Sequence, residues 1–325
     1  QYSKKNYKDI GRIDHGLHIE IEVEKNRIEK EEGRRINVKG VLDKLDLAPS
    51  THYKTCQHKT LSKQETRKSE VMDQIRAIYK ASHQIYGAPK IRQELNKKGH
   101  CISEKTVGNY MREMGLKAHY IKPYTVTTID SDFSNELRNI LQRDFNPEKP
   151  NCYWCSDITY INTRDDGFVY LVSIMDLFSR KIIAWELSRG LKADAVVRCL
   201  RKAVANRKGI KAKVAHSDRG CQYVSQAYLE ELGMEVEVSY SDKANPWDNA
   251  CMESFHALIK REWLYRSEIK DYDHARRLIF KYINAFYNTV RIHSHCDYLS
   301  PDDFELQYDK LENISLNKID MKIAC

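Results

Sequence analysis

Three acidic residues sit in contexts that could do chemistry together. Asp157 lies inside the run YWCSDITYI, Asp218 inside HSDRGCQY and Glu253 inside NACMESF, with thirty-four residues between the last two. Carboxylate oxygens are hard ligands that suit Mg2+ or Mn2+. A pair of such ions can activate a water or a 3′-hydroxyl and stabilise the leaving oxygen of an in-line displacement at a phosphodiester. Taken singly, a strand aspartate, a strand-end aspartate or a helical glutamate is more often a salt-bridge partner or a cap. The chemistry therefore depends on the elements that would bring the three together.

Asp157 falls mid-strand, where aspartate is disfavoured. The side-chain period of two puts it on one face with Cys155 and Thr159. Asp218 ends the apolar run KVAHSD, so it sits at a strand end. Neighbouring strands would bring the two carboxylates close, an unfavourable arrangement without a cation between them. Glu253 belongs to a long helix read from about Trp247 to Trp263, with Met252, Phe255 and Ile259 as its buried stripe. Asn249, Glu253, His256 and Lys260 follow at steps of four, three and four as a second stripe. Lys260 stands about 10 Å along the axis from Glu253 and offers an ammonium for phosphate. Trp154 reads as core, whereas Trp247, after Pro246, reads as exposed and able to touch a splayed base. The many tyrosines form no regular stacking platform along the chain.

Around these residues the pattern runs strand, strand, strand, helix, strand, helix, strand, helix over 150–265. That order predicts a mixed α/β fold, a five-stranded sheet with flanking helices of the ribonuclease-H-like type. Residues 70–118 predict a helix-turn-helix. Met72, Ile75, Ile78 and Tyr79 line one helix, Ile91 and Leu95 a second, and Ser103 caps a third carrying Val107, Met111 and Met114. Its outer face bears Lys105, Asn109 and Arg112, which suits DNA reading and equally a solvated bundle face. Residues 1–35 read as a polar, weakly helical leader, and 36–69 as a small helical unit with Val38, Val41, Leu42 and Leu45 on one side. Residues 119–149 read as a linker containing a short helix, NELRNILQRDF. Residues 266–325 read as a C-terminal helical extension and tail. There Ala275, Leu278, Ile279, Tyr282, Ile283 and Phe286 face inward, and about fifteen terminal residues are frayed.

The chain has 325 residues, 31% charged and 41% hydrophobic, with a net charge of +8. These values fit a soluble protein with one sizeable core plus smaller modules, and the positive excess suits a nucleic-acid partner. No apolar run of about 18 residues suggests a membrane span, and the N-terminus has no signal-like core. Nine cysteines, an odd number, fit reduced thiols of a cytoplasmic protein. The one Cys-x-x-Cys, Cys152 and Cys155, lacks two further ligands nearby for zinc.

The motifs YGAPKIRQELNKKG with ISEKTVGNYMREMGLKA, PNCYWCSDITYI, HSDRGCQYVS, NPWDNACMESFHALIKRE and YNTVRIHSHCDYLSP resemble those of the insertion-sequence-three family of transposases. The match is to the product containing the second reading frame, and more distantly to retroviral integrases. It runs from about Ile36 to Phe304. The resemblance implies a catalytic Asp157–Asp218–Glu253 triad binding two Mg2+ ions, with Mn2+ as a substitute. It implies that Lys260 contacts the transposon end near the cut, that His216, Asn249 and Ser254 shape the site, and that Arg291 and His293 support it. Lys105, Asn109 and Arg112 become expected contacts to terminal inverted repeats, and Trp247, Asn249 and His256 expected DNA contacts beside the acids. Members cut a strand to expose a 3′-hydroxyl and join it to DNA, commonly through a circular intermediate. The expected partners are transposon-end DNA, target DNA and further copies in a homo-oligomer on DNA, with no membrane. The expected location is the bacterial cytoplasm, with the nucleoid.

Some positions depart from the family pattern. Cys221 stands where serine is common, and Cys296 and Asp297 replace the familiar Leu-Gly after RIHSH. The upstream helix-turn-helix and leucine zipper often found in the family are not evident in 1–35, so the chain reads as the second-frame part. A DNA-binding regulator with an inactive integrase-like domain is the competing reading. A ribonuclease-H-like nuclease without strand transfer is a third. The three acids with Lys260 favour the transposase over the regulator, and the helix-turn-helix with YNTVRIH argues against the plain nuclease.

Overall fold

A computed structural model describes residues 20–31, 33–45, 47–57, 63–119, 137–242 and 245–323. Residues 1–19 of the expected leader and 120–136 of the expected linker lie outside these. Backbone contacts divide the chain into two units, 1–77 and 78–325.

In the first unit, α1 (20–31) is a charged helix on which Arg27 pairs with Glu24 and Glu31, one turn to either side. In α2 (Val38–Lys44), Asn37 is the N-cap, its Oδ1 accepting the Gly40 N–H at 3.1 Å, and Val38 and Leu42 are buried. Leu45, expected on the same inner side, is the exposed C-cap. α3 (Pro49–Gln57) follows, and then α4 (Lys63–Ala81), which crosses into the second unit.

The second unit continues with α5 (Ala88–Lys97) and α6 (Glu104–Glu113). Ile91, Leu95, Val107 and Met111 are buried, at the helical spacing read from the sequence. Ser103 caps α6, its Oγ accepting the Thr106 N–H at 3.1 Å. These helices are tied to the far end of the chain. Tyr86 accepts the Ile292 N–H at 2.9 Å and donates to the Val290 carbonyl at 3.3 Å, and Lys97 donates to the Tyr298 carbonyl at 2.7 Å.

Next come β1 (Tyr153–Thr163), β2 (Gly167–Asp176), β3 (Lys181–Ser188), α7 (Ala193–Asn206), β4 (Val214–Ser217), α8 (Gln226–Leu232) and β5 (Glu237–Tyr240). They build a five-stranded sheet in the order β3-β2-β1-β4-β5. The first three strands are antiparallel neighbours, while β4 and β5 run parallel to β1. α7 and α8 cover one face over Trp154, Val172, Ile174, Leu200, Tyr228 and Leu232. A 3-10 turn, Pro246–Asn249, leads into α9 (Ala250–Glu262), which crosses the other face against β1. α10 (Tyr272–Tyr282) runs on through a wider turn to Tyr287, with Ala275, Ile279, Tyr282, Ile283 and Phe286 buried.

Two further expectations differ from the structure. Within NELRNILQRDF, residues 137–145 form no helix. Their backbone lies along β5 instead. The Tyr240 N–H donates to the Arg138 carbonyl, and Ser239 Oγ accepts the Ile140 and Leu141 N–H groups at 2.9 and 3.0 Å. Bonds to a sheet edge satisfy the donors that a helix would have used. At the other end, α11 (Pro301–Ile323) carries the helix through most of the stretch expected to fray. Its start is anchored by Glu305, which is held by Arg207 and Ser179 at 2.6 Å each.

The turn after RIHSH also explains the departures there. Asp297 has φ 50° and ψ 37°, the left-handed region where glycine is usual and aspartate is among the better-tolerated substitutes. Cys296 is fully buried and donates to the Ser179 carbonyl.

Candidate active site

Asp157 stands in β1 two residues beyond its last pair with β4. The parallel register sets Cys155 against His216, so Asp157 comes level with Asp218, the first residue after β4. Asp157 lies on the face crossed by α9, where His256 reaches it, and α9 carries Glu253 in its first turn. β4 ends at Ser217, so the register brings the two strand acids level just past its end, and Glu253 on α9 feels the charge of Asp157. Asp218 Oδ1 accepts the Gly220 N–H at 3.0 Å. A Cβ at position 220 would meet that oxygen at 3.0 Å, so the close turn under Asp218 favours glycine.

The stripe read beside Glu253 is used differently from the expectation. His256 and Asn249, expected to touch DNA, are 6% and 5% exposed. His256 Nδ1 lies 3.3 Å from Asp157 Oδ2, and its Nε2 lies 2.9 Å from Ser173 Oγ. Ser173 pairs directly with Asp157 across the β1–β2 ladder, so one ring bridges both strands. Asn249 Nδ2 donates to the Ser156 carbonyl at 3.5 Å, while its Oδ1 is buried without a hydrogen bond among the described residues. The reason is helical geometry. His256 is four residues after Met252 and three before Ile259, which places it in the buried stripe as well.

Lys260 is partly buried, its Nζ 4.6 Å from the centre of the Tyr160 ring. Trp247 is 70% exposed, and Ser254 is exposed next to Glu253. Lys105, Asn109 and Arg112 are exposed along α6, with Arg112 donating to Asn109 Oδ1 at 3.1 Å.

The remaining expected supporting residues, His216, Arg291 and His293, bond to neighbouring elements of the core. His216 joins β4 to the β5 side, its ring nitrogens 2.8 Å from Ser239 Oγ and 3.1 Å from Ser241 Oγ. Burial pushes its pKa down to about 4, so the ring is neutral. Arg291 makes a two-pronged, buried bond to Glu262 at the end of α9, with distances of 2.8 and 2.6 Å. His293 packs beside it at 3.4 Å.

Sequence reasoning missed Ser173 and also Asp248. The latter is buried and accepts from Arg143 at 2.7 Å, Asn139 at 3.0 Å and the Asp242 N–H at 2.9 Å, fixing the entry to α9. The NPWDN run was a signal for it, because an acid between an aromatic and a helix start is well placed to act as a clamp. A groove lined by β3 and α10, including Trp185, Arg276 and Lys281, contains none of the three acids.

Electrostatics couple the site. Burial raises the Glu253 carboxyl above its ordinary value, and the Asp157 charge adds to the effect. Burial lowers the Lys260 ammonium, while Asp157 pulls it back up. Tyr223, bonded by Ser156 Oγ at 2.9 Å, is pushed well up by burial and then by the charges of Asp157 and Asp218. A carboxylate that feels the charge of another, as Glu253 feels Asp157, is the type of oxygen donor that suits a hard divalent cation. Asp157 is turned towards His256 and accepts the Ile158 N–H at 2.8 Å, and among the described residues no three His, Cys, Asp or Glu groups are drawn into a metal cage.

An integrase-type core joined to helix-turn-helix-like helices defines the class, and sequence comparison agrees. Residues 147–246 and 234–301 match integrase core domain families, and 66–124 match an HTH-like domain. The transposase InsF for insertion sequence IS3A of Escherichia coli (strain K12) is 33% identical over 280 residues, covering 86% of this chain and 96% of the relative. The transposase for insertion sequence element IS904 of Lactococcus lactis subsp. lactis (strain IL1403) is 35% identical over 251 residues, covering 76% and 98%. Among solved structures, the simian T-cell lymphotropic virus intasome in complex with PP2A regulatory subunit B56 gamma aligns with TM-score 0.40 and 14% identity, covering 70% of this chain and 73% of that one. The HTLV-2 integrase catalytic core domain in complex with magnesium aligns with TM-score 0.37 and 15% identity, covering 49% and 98%. The chain belongs to the transposase family of insertion sequence IS3.

Proposed function

We propose that this transposase cuts DNA at the ends of its insertion sequence and joins the freed ends to a target, using Asp157, Asp218 and Glu253. The observation that supports the reading is that Asp157 and Asp218 come level by strand register and that the α9 glutamate responds to the Asp157 charge. In cleavage, a water oxygen attacks phosphorus, the bond to the 3′-oxygen breaks, and that oxygen leaves as a hydroxyl after gaining a proton. In joining, the same hydroxyl attacks a target phosphodiester and loses its proton, while the target's 3′-oxygen leaves in turn.

Asp157, Asp218 and Glu253 would hold Mg2+, as two ions or their Mn2+ equivalents, which when bound would supply charge for the attacking and leaving oxygens. His256 and Asn249 hold β1 to α9 on either side of Glu253 and so fix the spacing of the acids. Lys260 supplies a positive charge for a phosphate of the transposon end. The exposed Lys105, Asn109 and Arg112 face of α6 suits terminal inverted repeats, and Trp247 suits an unstacked base. Assembly of several copies on end and target DNA follows from the need to hold two ends and a target at once.

The test is cleavage with Mg2+ on DNA bordering the element that carries this reading frame. Asp157→Asn, Asp218→Asn and Glu253→Gln are each expected to bring cutting to background while leaving DNA affinity essentially unchanged. Near-normal cutting by any one of them removes that residue from the mechanism. Uncut DNA with the unaltered chain, despite tight binding, would favour the regulator instead.

A further inference from the structure

Beyond the acids, three exposed aromatic rings gather at the open end of β1. Tyr160 is 36% exposed, Phe168 54% and Tyr265 47%. They come from three elements: Tyr160 from β1, Phe168 from the start of β2, and Tyr265 from the 3-10 turn Leu264–Arg266 after α9. Tyr160 and Phe168 meet edge to face at 5.4 Å between centres. The ladder puts Asn162 opposite Phe168 and Tyr160 opposite Tyr170, so Tyr160 and Phe168 share one face of the hairpin, the face opposite that of Asp157, three residues back along β1. Tyr265 lies close enough for the Tyr160 hydroxyl to influence its own.

The patch has a charged link to the acids. Lys260 Nζ sits 4.6 Å from the centre of the Tyr160 ring, and the same ammonium feels the Asp157 charge. Lys260, on α9, thus touches the Tyr160 ring while lying within the influence of the Asp157 charge, which links the two faces of β1 at this end. A folded protein gains nothing by leaving apolar rings clustered in water. A cation beside flat, exposed rings suits a ligand with both a phosphate and an aromatic base.

We propose that Tyr160, Phe168 and Tyr265 form a stacking platform for unpaired nucleotides next to the scissile phosphodiester, with Lys260 on their phosphate. The proposal rests on the reading of the site as a DNA-cutting centre and adds the strand state it acts on: the terminal base pairs are opened, and their bases lie on protein rings. Stacking is indifferent to base identity, so the platform favours frayed over paired ends rather than one sequence over another.

The experiment uses the full chain carrying Asp157→Asn, which is expected to leave DNA uncut. The probes are two duplexes from the DNA bordering the element, one fully paired and one mismatched over its last few base pairs. Each carries 2-aminopurine at the nucleotide flanking the cut. The expected result is tighter binding of the mismatched duplex with quenched fluorescence. Tyr160→Ala and Phe168→Ala should each lose about ten-fold of that binding, a stacking-sized effect, together with the quench. Tyr160→Phe should keep both. These side chains are exposed, so thermal unfolding should not move. Equal binding and quenching by Tyr160→Ala overturn the proposal. So does a change in sedimentation with fluorescence unaltered, which would make the patch a contact between copies. Cutting by the Asp157→Asn chain itself would reject the acid assignment, while the fluorescence comparison would still decide the platform.

Discussion

His256 turns one of the acids from an isolated charge into a held one. Its ring reaches Asp157 with Nδ1 and Ser173 with Nε2. Nδ1 facing the carboxylate and Nε2 facing the hydroxyl give both ring nitrogens a partner in this buried place. The expected consequence is a loss of cutting rate, about 10–100-fold, in His256→Ala at saturating DNA. Asn at this position places an amide N–H near the Nδ1 site and should recover most of the rate. Leu fills the volume without a donor and should not, so comparing the two separates positioning from packing. The two aspartates stood out in the sequence because one sits inside a β-rich run and the other at the end of an apolar run, places where the residue is out of pattern. His256 was misread because a helix position can belong to two stripes at once. Ser173 was illegible because no local pattern tells which residue lies opposite another across a ladder.

Helices and strands followed their periodicities wherever the partner surface was their own core. They departed where a long-range partner took over. Residues 137–145 carry a helical composition, yet their N–H groups bond to Ser239 Oγ and their carbonyls to the β5 edge. The pairing of α9 with the RIH segment is another long-range contact that periodicity cannot supply. Burial would raise the Glu262 carboxyl, but the Arg291 bonds and charge outweigh it and hold the group below its ordinary value of 4.5. A depressed acid contributes stability above its unfolded value, and that contribution is lost as pH falls through the folded one. Glu262→Gln should therefore destabilise the protein at neutral pH by about 3–5 kcal/mol, since Arg291 is left buried without its counter-charge. The gap from the unaltered protein should narrow in denaturant titrations as pH drops below 4.5, the unfolded reference. A constant gap across that range would mean that the pair carries no linked proton.

At the scale of the whole molecule, a net charge of +8 says only that a polyanion is welcome somewhere. The structure narrows the place. Within the second unit, the helix α5 is tied to the C-terminal segment through Tyr86 and Lys97, and that segment grips the end of α9 through Arg291. The exposed α6 face and the acid-bearing helix are thus parts of one connected body, and contacts to DNA at the two places should act on different quantities. Cations facing phosphates set affinity and its dependence on salt, while the acids set the rate of the chemical step. Lys105→Ala combined with Arg112→Ala should weaken binding of element-end DNA and lower the slope of log affinity against log salt by about 2, close to 0.9 for each lost phosphate contact. Cutting at saturating DNA should stay near that of the unaltered chain. Filter binding across a salt series, followed by single-turnover cutting, measures both. A slope that does not move would mean that the α6 face meets solvent and that the end is read elsewhere.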